Sequence, residues 1–327
     1  AIIRKSRLPQ LSEDDRRLLA YQIEEARLKA VYGQIAPAFQ QNKYDEVIAR
    51  LEPELGAMDV AGPAVAKNMN EALTAAASKL DEFRREKIIV LALQTRIRKG
   101  DIQEAERLFN LLERLGGSLE ATIGALTQLL AVVRPQIEKL RNQGDAGKAR
   151  LDALIAGVAK LLDKVGSKPN LGAREYVFLG RSLKDIGSYD QAAQILEKVP
   201  APANRELLNE KNPNAITNND DRLSVIFYRG AQLELARTYR LSGKIQEAEK
   251  VLQDAMGDDN KPGWAKTAPD FRKEALYTLE DKAAGITTAK DAQPLWSQAA
   301  QGWAKIASEY QAYLRQPIPA DPQKAAE

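Results

Sequence analysis

The sequence predicts an all-α protein, an α-solenoid of stacked antiparallel helix pairs with irregular long helices. Apolar residues recur at intervals of three and four along most of the chain, whereas the alternation typical of a β-strand is almost absent. A helix, glycine turn and helix occur twice, as LGRSLKDIGSYDQAAQILEKV from Leu179 and LARTYRLSGKIQEAEKVLQDA from Leu235. One helix pair cannot bury its apolar face alone, so the two copies predict a stack of neighbours.

Small residues in the two copies predict close contacts between the helices of each pair. Ala192 and Ala248 follow the turn at the same distance in both copies. Gly180 and Ala236 leave room on the first helix of each pair. Large residues are expected to fill the remaining space; they are Leu179, Leu183, Leu196, Leu235, Tyr239 and Leu252.

The elements before these copies also have helical signals. Ser12 is a predicted N-cap, with Asp15 placed to complete a capping box. A shorter helix is predicted to end near Pro53, and a long helical stretch with a break near Leu80 is predicted to run to Lys99. Five turn positions separate the predicted helices, at irregular spacings of 58, 44, 43 and 56 residues; they are Asn42, Gly100, Gly144, Gly187 and Gly243.

The polar segment GSKPNLG predicts a boundary between an N-terminal helical region, residues 1–166, and a C-terminal region, residues 167–327. Residues 201–221 and 257–270 are predicted loops, and the second is expected to place Trp264 against a neighbouring helix. The last predicted helix carries an aromatic stripe that predicts either a core contact or a partner interface; its members are Trp296, Trp303, Tyr310 and Tyr313.

Composition disfavours catalysis and metal binding. The chain has no Cys and no His, which removes thiolate chemistry, the most frequent general base and the commonest transition-metal ligand. GDAGKA at Gly144 lacks the Ser/Thr of a phosphate-binding loop, and Pro262 interrupts the calcium-loop pattern that begins at Asp258. We therefore expect no enzyme activity, no cofactor and no metal.

The charge balance and the first residues bear on location and partners. With 48 basic and 45 acidic residues, the chain does not present a basic surface overall, which disfavours nucleic acid. No apolar run is long enough to span a membrane. The opening AIIRKSR is typical either of a flank that follows a membrane anchor upstream of Ala1 or of an ordinary loose terminus. The sequence does not indicate the cellular compartment.

The two copies resemble tetratricopeptide repeats. The first copy matches at Tyr176, Leu179, Gly180, Gly187, Tyr189, Ala192 and Leu196, and the second at Leu235, Ala236, Tyr239, Gly243, Ala248, Leu252 and Ala255. A weaker copy is carried by Gly100, Ile102, Ala105 and Phe109, and two degenerate copies centre on Tyr44 and Gly144. The resemblance implies a scaffold or assembly subunit that binds a peptide or a partner helix in a groove; self-association is a further alternative.

The groove positions that the resemblance implies are basic: Arg181, Lys184, Arg237 and Arg240. They predict a stripe for an acidic segment or helix, unless acids such as Asp185 or Glu234 neutralise it. The family's carboxylate clamp is not met, because Val177 and Arg181 stand where Lys and Asn are needed. The alternative function is a binder of nucleic acid or another anionic surface through these basic residues and the FRREK segment at Phe83.

Overall fold

A computed structural model of the chain describes residues 11–65, 69–115, 119–210, 212–258 and 261–315. Within these ranges the protein is all-helical, and the only extended feature is an isolated bridge between Gly257 and Pro262. The prediction of an all-α protein is therefore confirmed. The AIIRKSR segment, for which an upstream anchor was an alternative, lies outside the described residues.

The chain divides into two compact units. The first contains the described residues up to Ser167 together with Asp185–Gly187. Its helices are α1 (Glu13–Gln40), α2 (Tyr44–Ala61), α3 (Glu71–Phe83), α4 (Val90–Lys99), α5 (Ile102–Arg114), α6 (Leu119–Arg141) and α7 (Asp145–Gly166). A π-helical segment, Arg84–Ile89, joins α3 to α4 without a gap.

The second unit contains Lys168–Lys184 and the described residues from Ser188 onward. Its helices are α8 (Ala173–Ile186, without its last two residues), α9 (Tyr189–Leu196), α10 (Asn219–Leu241), α11 (Ile245–Met256), α12 (Pro269–Ala284) and α13 (Ala289–Leu314). The predicted loop 201–221 contains two short 3₁₀ helices, Arg205–Asn209 and Pro213–Ala215. Since α3 and α4 are continuous, the described parts of both units together hold twelve separate helices.

In each unit the helices pack against their neighbours. In the first unit α4 contacts α5 and α6, and α5 contacts α7. In the second unit α10 contacts α9, α11 and α12, and α12 contacts α13. The contacts bury apolar stripes such as that of α5, where Ala105, Leu108 and Phe109 are almost inaccessible to solvent. Burial of such stripes is the main favourable contribution to folding of these helices.

All five predicted turn positions have left-handed backbone. Their φ angles are 60° at Asn42, 80° at Gly100, 57° at Gly144, 94° at Gly187 and 78° at Gly243. Glycine adopts this region without the steric penalty of a Cβ atom, and Asn tolerates it better than most residues. The turn prediction is therefore confirmed at each position.

Two glycines of the first unit provide a test of this backbone effect. Gly100→Ala is expected to lower the free energy of unfolding by about 1 kcal/mol, because alanine is strained at positive φ. Gly56→Ala, inside α2, is the matched control and is expected to stabilise by about 0.5–1 kcal/mol. In both cases the added Cβ meets open space, so packing does not contribute. Urea denaturation followed by circular dichroism measures the change in the free energy of unfolding for both variants. Changes of the same sign would contradict this explanation of the turn at Gly100.

The predicted capping box of the first helix is confirmed. The Ser12 hydroxyl oxygen accepts from the backbone N–H of Asp15 at 3.0 Å, and the Asp15 carboxylate accepts from the backbone N–H of Ser12 at 3.3 Å. Three acidic residues in the first turn, Glu13, Asp14 and Asp15, also favour the helix dipole.

Two predicted helix limits are wrong. The second helix does not end near Pro53 but continues to Ala61 and stops at Gly62, where φ is 68°. The burial of Leu51, Leu55 and Met58 on the two sides of the proline offsets the hydrogen bond that proline cannot donate. The predicted break near Leu80 is displaced too, since the α-helix changes to a π-helix only at Arg84.

The small residues of the second unit lie at tight helix contacts, as predicted. Ala192, Ala236 and Ala248 are all fully buried. A Cβ atom on Gly180 would lie 2.4 Å from the Cγ of Leu196, so only glycine fits there without movement of that leucine. Trp264 packs edge-to-face against Phe271 with 5.0 Å between ring centroids, which confirms its predicted position against a neighbouring helix.

Candidate functional site: a charge cluster on three helices

The four basic residues singled out in the sequence lie together in the second unit. Arg181 and Lys184 are on α8, and Arg237 and Arg240 are on α10. Each makes an ion pair with an acidic residue of α10 or α12. We define the charge cluster as these residues and their acidic partners: Arg181, Lys184, Glu234, Arg237, Arg240, Glu274 and Asp281.

Glu234 joins α8 to α10. Its carboxylate accepts from the ammonium group of Lys184 at 2.6 Å and lies 3.2 Å from a guanidinium nitrogen of Arg237. The Nε atom of Arg181 is 3.3 Å away. Glu234 itself is only 5% exposed, so these cations offset the cost of removing its charge from water.

Glu274 joins α10 to α12 in the same way. It is 2% exposed and accepts from the Nε of Arg240 at 2.6 Å and from the Nε of Arg237 at 3.1 Å. Arg240 also donates to Asp281 at 2.9 Å. Positive and negative groups therefore alternate from Lys184 to Asp281, and Arg237 bridges the two buried carboxylates.

The surroundings shift the pKa values of two cluster members. Burial by itself would raise the pKa of Glu234, but its hydrogen bond from Lys184 and the charges of Lys184, Arg181 and Arg237 outweigh this and lower the pKa below its ordinary value. Burial would lower the pKa of Arg240, yet hydrogen bonds to Glu274 and Asp281 raise it. Both groups are therefore held in their charged forms.

The lowered pKa of Glu234 predicts a dependence of stability on pH. A carboxylate with a depressed folded-state pKa stabilises the fold above the unfolded-state pKa, about 4.3, and this contribution disappears as the pH falls through the folded value. Glu234→Gln should reduce the loss of stability between pH 7 and pH 3, measured by urea denaturation. Glu206→Gln, at an exposed acid of the same unit, is the control. An unchanged loss in Glu234→Gln would contradict this assignment.

Sequence reasoning identified the cations but missed their partners on α12. Of the two acids that the sequence offered as neutralising partners, Glu234 on α10 pairs with the cations of the cluster, and Asp185 on α8 pairs with Arg134 at 2.7 Å. Glu274 and Asp281 were not among the predicted partners of the cations. One signal points to Glu274: Thr278 follows it at the spacing at which Thr238 follows Glu234, and in both pairs the threonine hydroxyl donates to the glutamate carbonyl.

The aromatic stripe of α13 is divided between packing and exposure. Trp303 donates from Nε1 to Glu280 at 2.8 Å, and its ring lies 5.0 Å from that of Tyr277 on α12. Trp296, Tyr310 and Tyr313 remain 45%, 46% and 66% exposed.

The stripe and the charge cluster meet at Tyr277. The Arg240 guanidinium lies 5.4 Å from the centre of the Tyr277 ring, and Trp303 packs on the same ring. The hydroxyl of Tyr310, further along α13, accepts from Lys273 at 3.1 Å. Charged and aromatic groups of α10, α12 and α13 are therefore in contact through Tyr277, and a second contact of this kind joins α12 to α13 at Tyr310.

Comparison of the chain with family models, with curated proteins and with solved structures finds no match. Among the described residues, no group of three or more acidic side chains is arranged to hold a metal ion. No α-helix in the described ranges has the length and apolar character needed to cross a bilayer.

Proposed function

We propose that this chain is a non-enzymatic scaffold or assembly subunit of the tetratricopeptide-repeat kind, which binds a peptide or partner helix on the charge cluster. The observation that carries the proposal is a series of alternating charges that connects α8, α10 and α12 through ion pairs. Arg181, at the edge of this series, is half exposed. A surface held in one geometry binds with less loss of side-chain entropy than a mobile one.

The helix contacts support a repeat arrangement. Within the first unit, the contact of α4 with α6 and of α5 with α7 is what stacked helix pairs produce. Within the second unit, the glycine of α8 that receives Leu196 of α9 has a counterpart in the last pair, where Gly302 of α13 receives Leu276 of α12. We infer from these pairs an irregular α-solenoid.

The charges favour a protein partner over nucleic acid. Four cations and three carboxylates leave one positive charge in excess in the charge cluster, whereas a polyanion needs a run of unopposed cations. A partner with one or two carboxylates at the cluster and an apolar residue near Tyr277 and Trp303 complements both parts of the surface.

Charge reversal at the edge of the cluster tests the proposal. A displayed library of peptides is selected on the full chain, and the affinity of the enriched peptides is measured by fluorescence anisotropy. Arg181→Glu should weaken binding by about tenfold or more, because it replaces the exposed cation with a negative charge that repels an acidic ligand. Arg181 is chosen over Arg237, since reversal of Arg237 would place a third acid beside two buried carboxylates.

Arg174→Glu is the matched control, because Arg174 is an exposed arginine of the same helix outside the cluster. It should leave the affinity unchanged. Equal binding by the wild type and Arg181→Glu would exclude the charge cluster as the binding surface. Retention on heparin with a steep salt dependence, lost in Arg181→Glu, would instead support the alternative of an anionic-surface binder.

A further inference from the structure

The first unit contains a basic cleft, whose residues are not members of the charge cluster. It has a volume of about 560 Å³, and its walls come from the C-terminal ends of α4 and α6 and from the N-terminal half of α7. Four of the side chains that line it are cationic, and none is a carboxylate; the cations are Arg98, Lys99, Lys139 and Arg150.

Two cations of the cleft have no acidic partner in the part of the chain that the structure describes. Lys139 and Arg150 are exposed and have no ion-pair partner among the described residues, whereas the neighbouring Arg96 pairs with both Glu52 and Asp101. Lys99 pairs with Asp45, whose side chain is 90% exposed. Unopposed positive charge in a concave site concentrates the electrostatic potential there and attracts anions.

Helix dipoles account for three of the four cations and not for the fourth. Cations near the C-terminal ends of α4 and α6 favour the partial negative charge of those ends, which explains Arg98, Lys99 and Lys139 as ordinary surface residues. Arg150 lies instead in the second turn of α7, close to the positive end of that helix. At that position the helix dipole does not stabilise its charge.

One cation of the cleft is already held in place. The Arg98 guanidinium lies 4.6 Å from the centre of the Phe39 ring and 5.8 Å from that of Tyr44, and it donates to the Tyr44 hydroxyl at 3.1 Å. Its remaining N–H groups need no further ordering before they meet a ligand, which reduces the entropic cost of binding.

We propose that this cleft binds a small molecule of nucleotide size that carries at least two phosphate groups. Arg and Lys are the residues that proteins use most to hold phosphates, and four of them match the charge of a diphosphate. The volume is in the range of small-molecule sites. The amides of Gln136 and Gln143 and the apolar side of Leu140 and Leu154 suit an attached organic group.

Isothermal titration calorimetry of the full chain with pyrophosphate and with ATP, at low salt and without metal, tests the proposal. Both probes should bind with dissociation constants below about 1 mM. The double variant Lys139→Gln/Arg150→Gln should weaken both by about tenfold or more. The charge-matched control Lys148→Gln/Lys87→Gln removes two exposed lysines that do not line the cleft and should weaken them by less than about twofold.

Hydrogen exchange supplies a readout that does not depend on variants. ATP should slow amide exchange at residues 98–100 and 136–154 of the wild type and leave the second unit unchanged. Absence of binding by both probes, or equal loss in the two double variants, would overturn the proposal. Binding of tetraglutamate in preference to either phosphate probe would also overturn it, since the cleft would then be a site for acidic peptides.

Discussion

Arg240→Met is expected to lower the free energy of unfolding of the second unit by about 3 kcal/mol. The substitution leaves the Glu274 carboxylate 2% exposed and without its shortest hydrogen bond, the 2.6 Å contact from Arg240. An uncompensated buried charge typically costs about 3–5 kcal/mol. We expect the lower end, because Arg237 still donates to Glu274 at 3.1 Å. Urea denaturation at pH 7 measures the change.

Two further variants separate this effect from loss of any ion pair. Lys282→Met removes an exposed ion pair between α12 and Glu249, and it should cost no more than about 1 kcal/mol. The double variant Arg240→Met/Glu274→Met removes the buried carboxylate as well, and it should recover most of the stability lost in Arg240→Met. A double variant no more stable than the single one would show that packing of Arg240, and not its charge, stabilises the unit.

Ala192→Leu and Ala248→Leu should each lower the free energy of unfolding by about 1–3 kcal/mol. Both alanines are fully buried where the second helix of a pair meets its neighbours. Three added carbon atoms have no free space at such a contact and must displace side chains or the backbone. Thermal unfolding followed by circular dichroism measures the loss, with the helical signal at low temperature unchanged.

Ala300→Leu is the control for this pair of substitutions. Ala300 is an exposed residue of α13 in the same unit, so its enlargement should change the stability by less than about 0.5 kcal/mol. If Ala192→Leu and Ala248→Leu unfolded at the temperature of the wild type, the assignment of tight helix contacts to these positions would be wrong.

Features that depend on a few adjacent residues could be predicted from the sequence. Helical periodicity defined the fold class because every helix must bury one stripe. The left-handed turns at Asn42 and Gly243 were predictable because backbone sterics restrict positive φ to few residue types. The tight contact at Gly180 was predictable too, since a small residue in an apolar stripe indicates close approach of another helix.

Other local signals were outweighed by packing. Pro53 predicted a helix end, but its cost is about 3 kcal/mol, which burial of the apolar residues on both sides of it offsets. The change to a π-helix at Arg84 has no comparable signal in the residues themselves. Such choices depend on the neighbouring helices and not on the segment alone.

The pairing of the charged residues follows from the packing of the helices. Arg237 and Glu274 are 37 residues apart, and Arg240 and Asp281 are 41 apart, so neither pair belongs to one helix or one turn. The same holds for the basic cleft, where Arg98 of α4 and Arg150 of α7 line one space. Apolar packing places the helices, and an ion pair then forms wherever two long side chains of opposite charge come within reach. Such pairs between helices therefore leave no regular spacing in the sequence, unlike pairs within one helix.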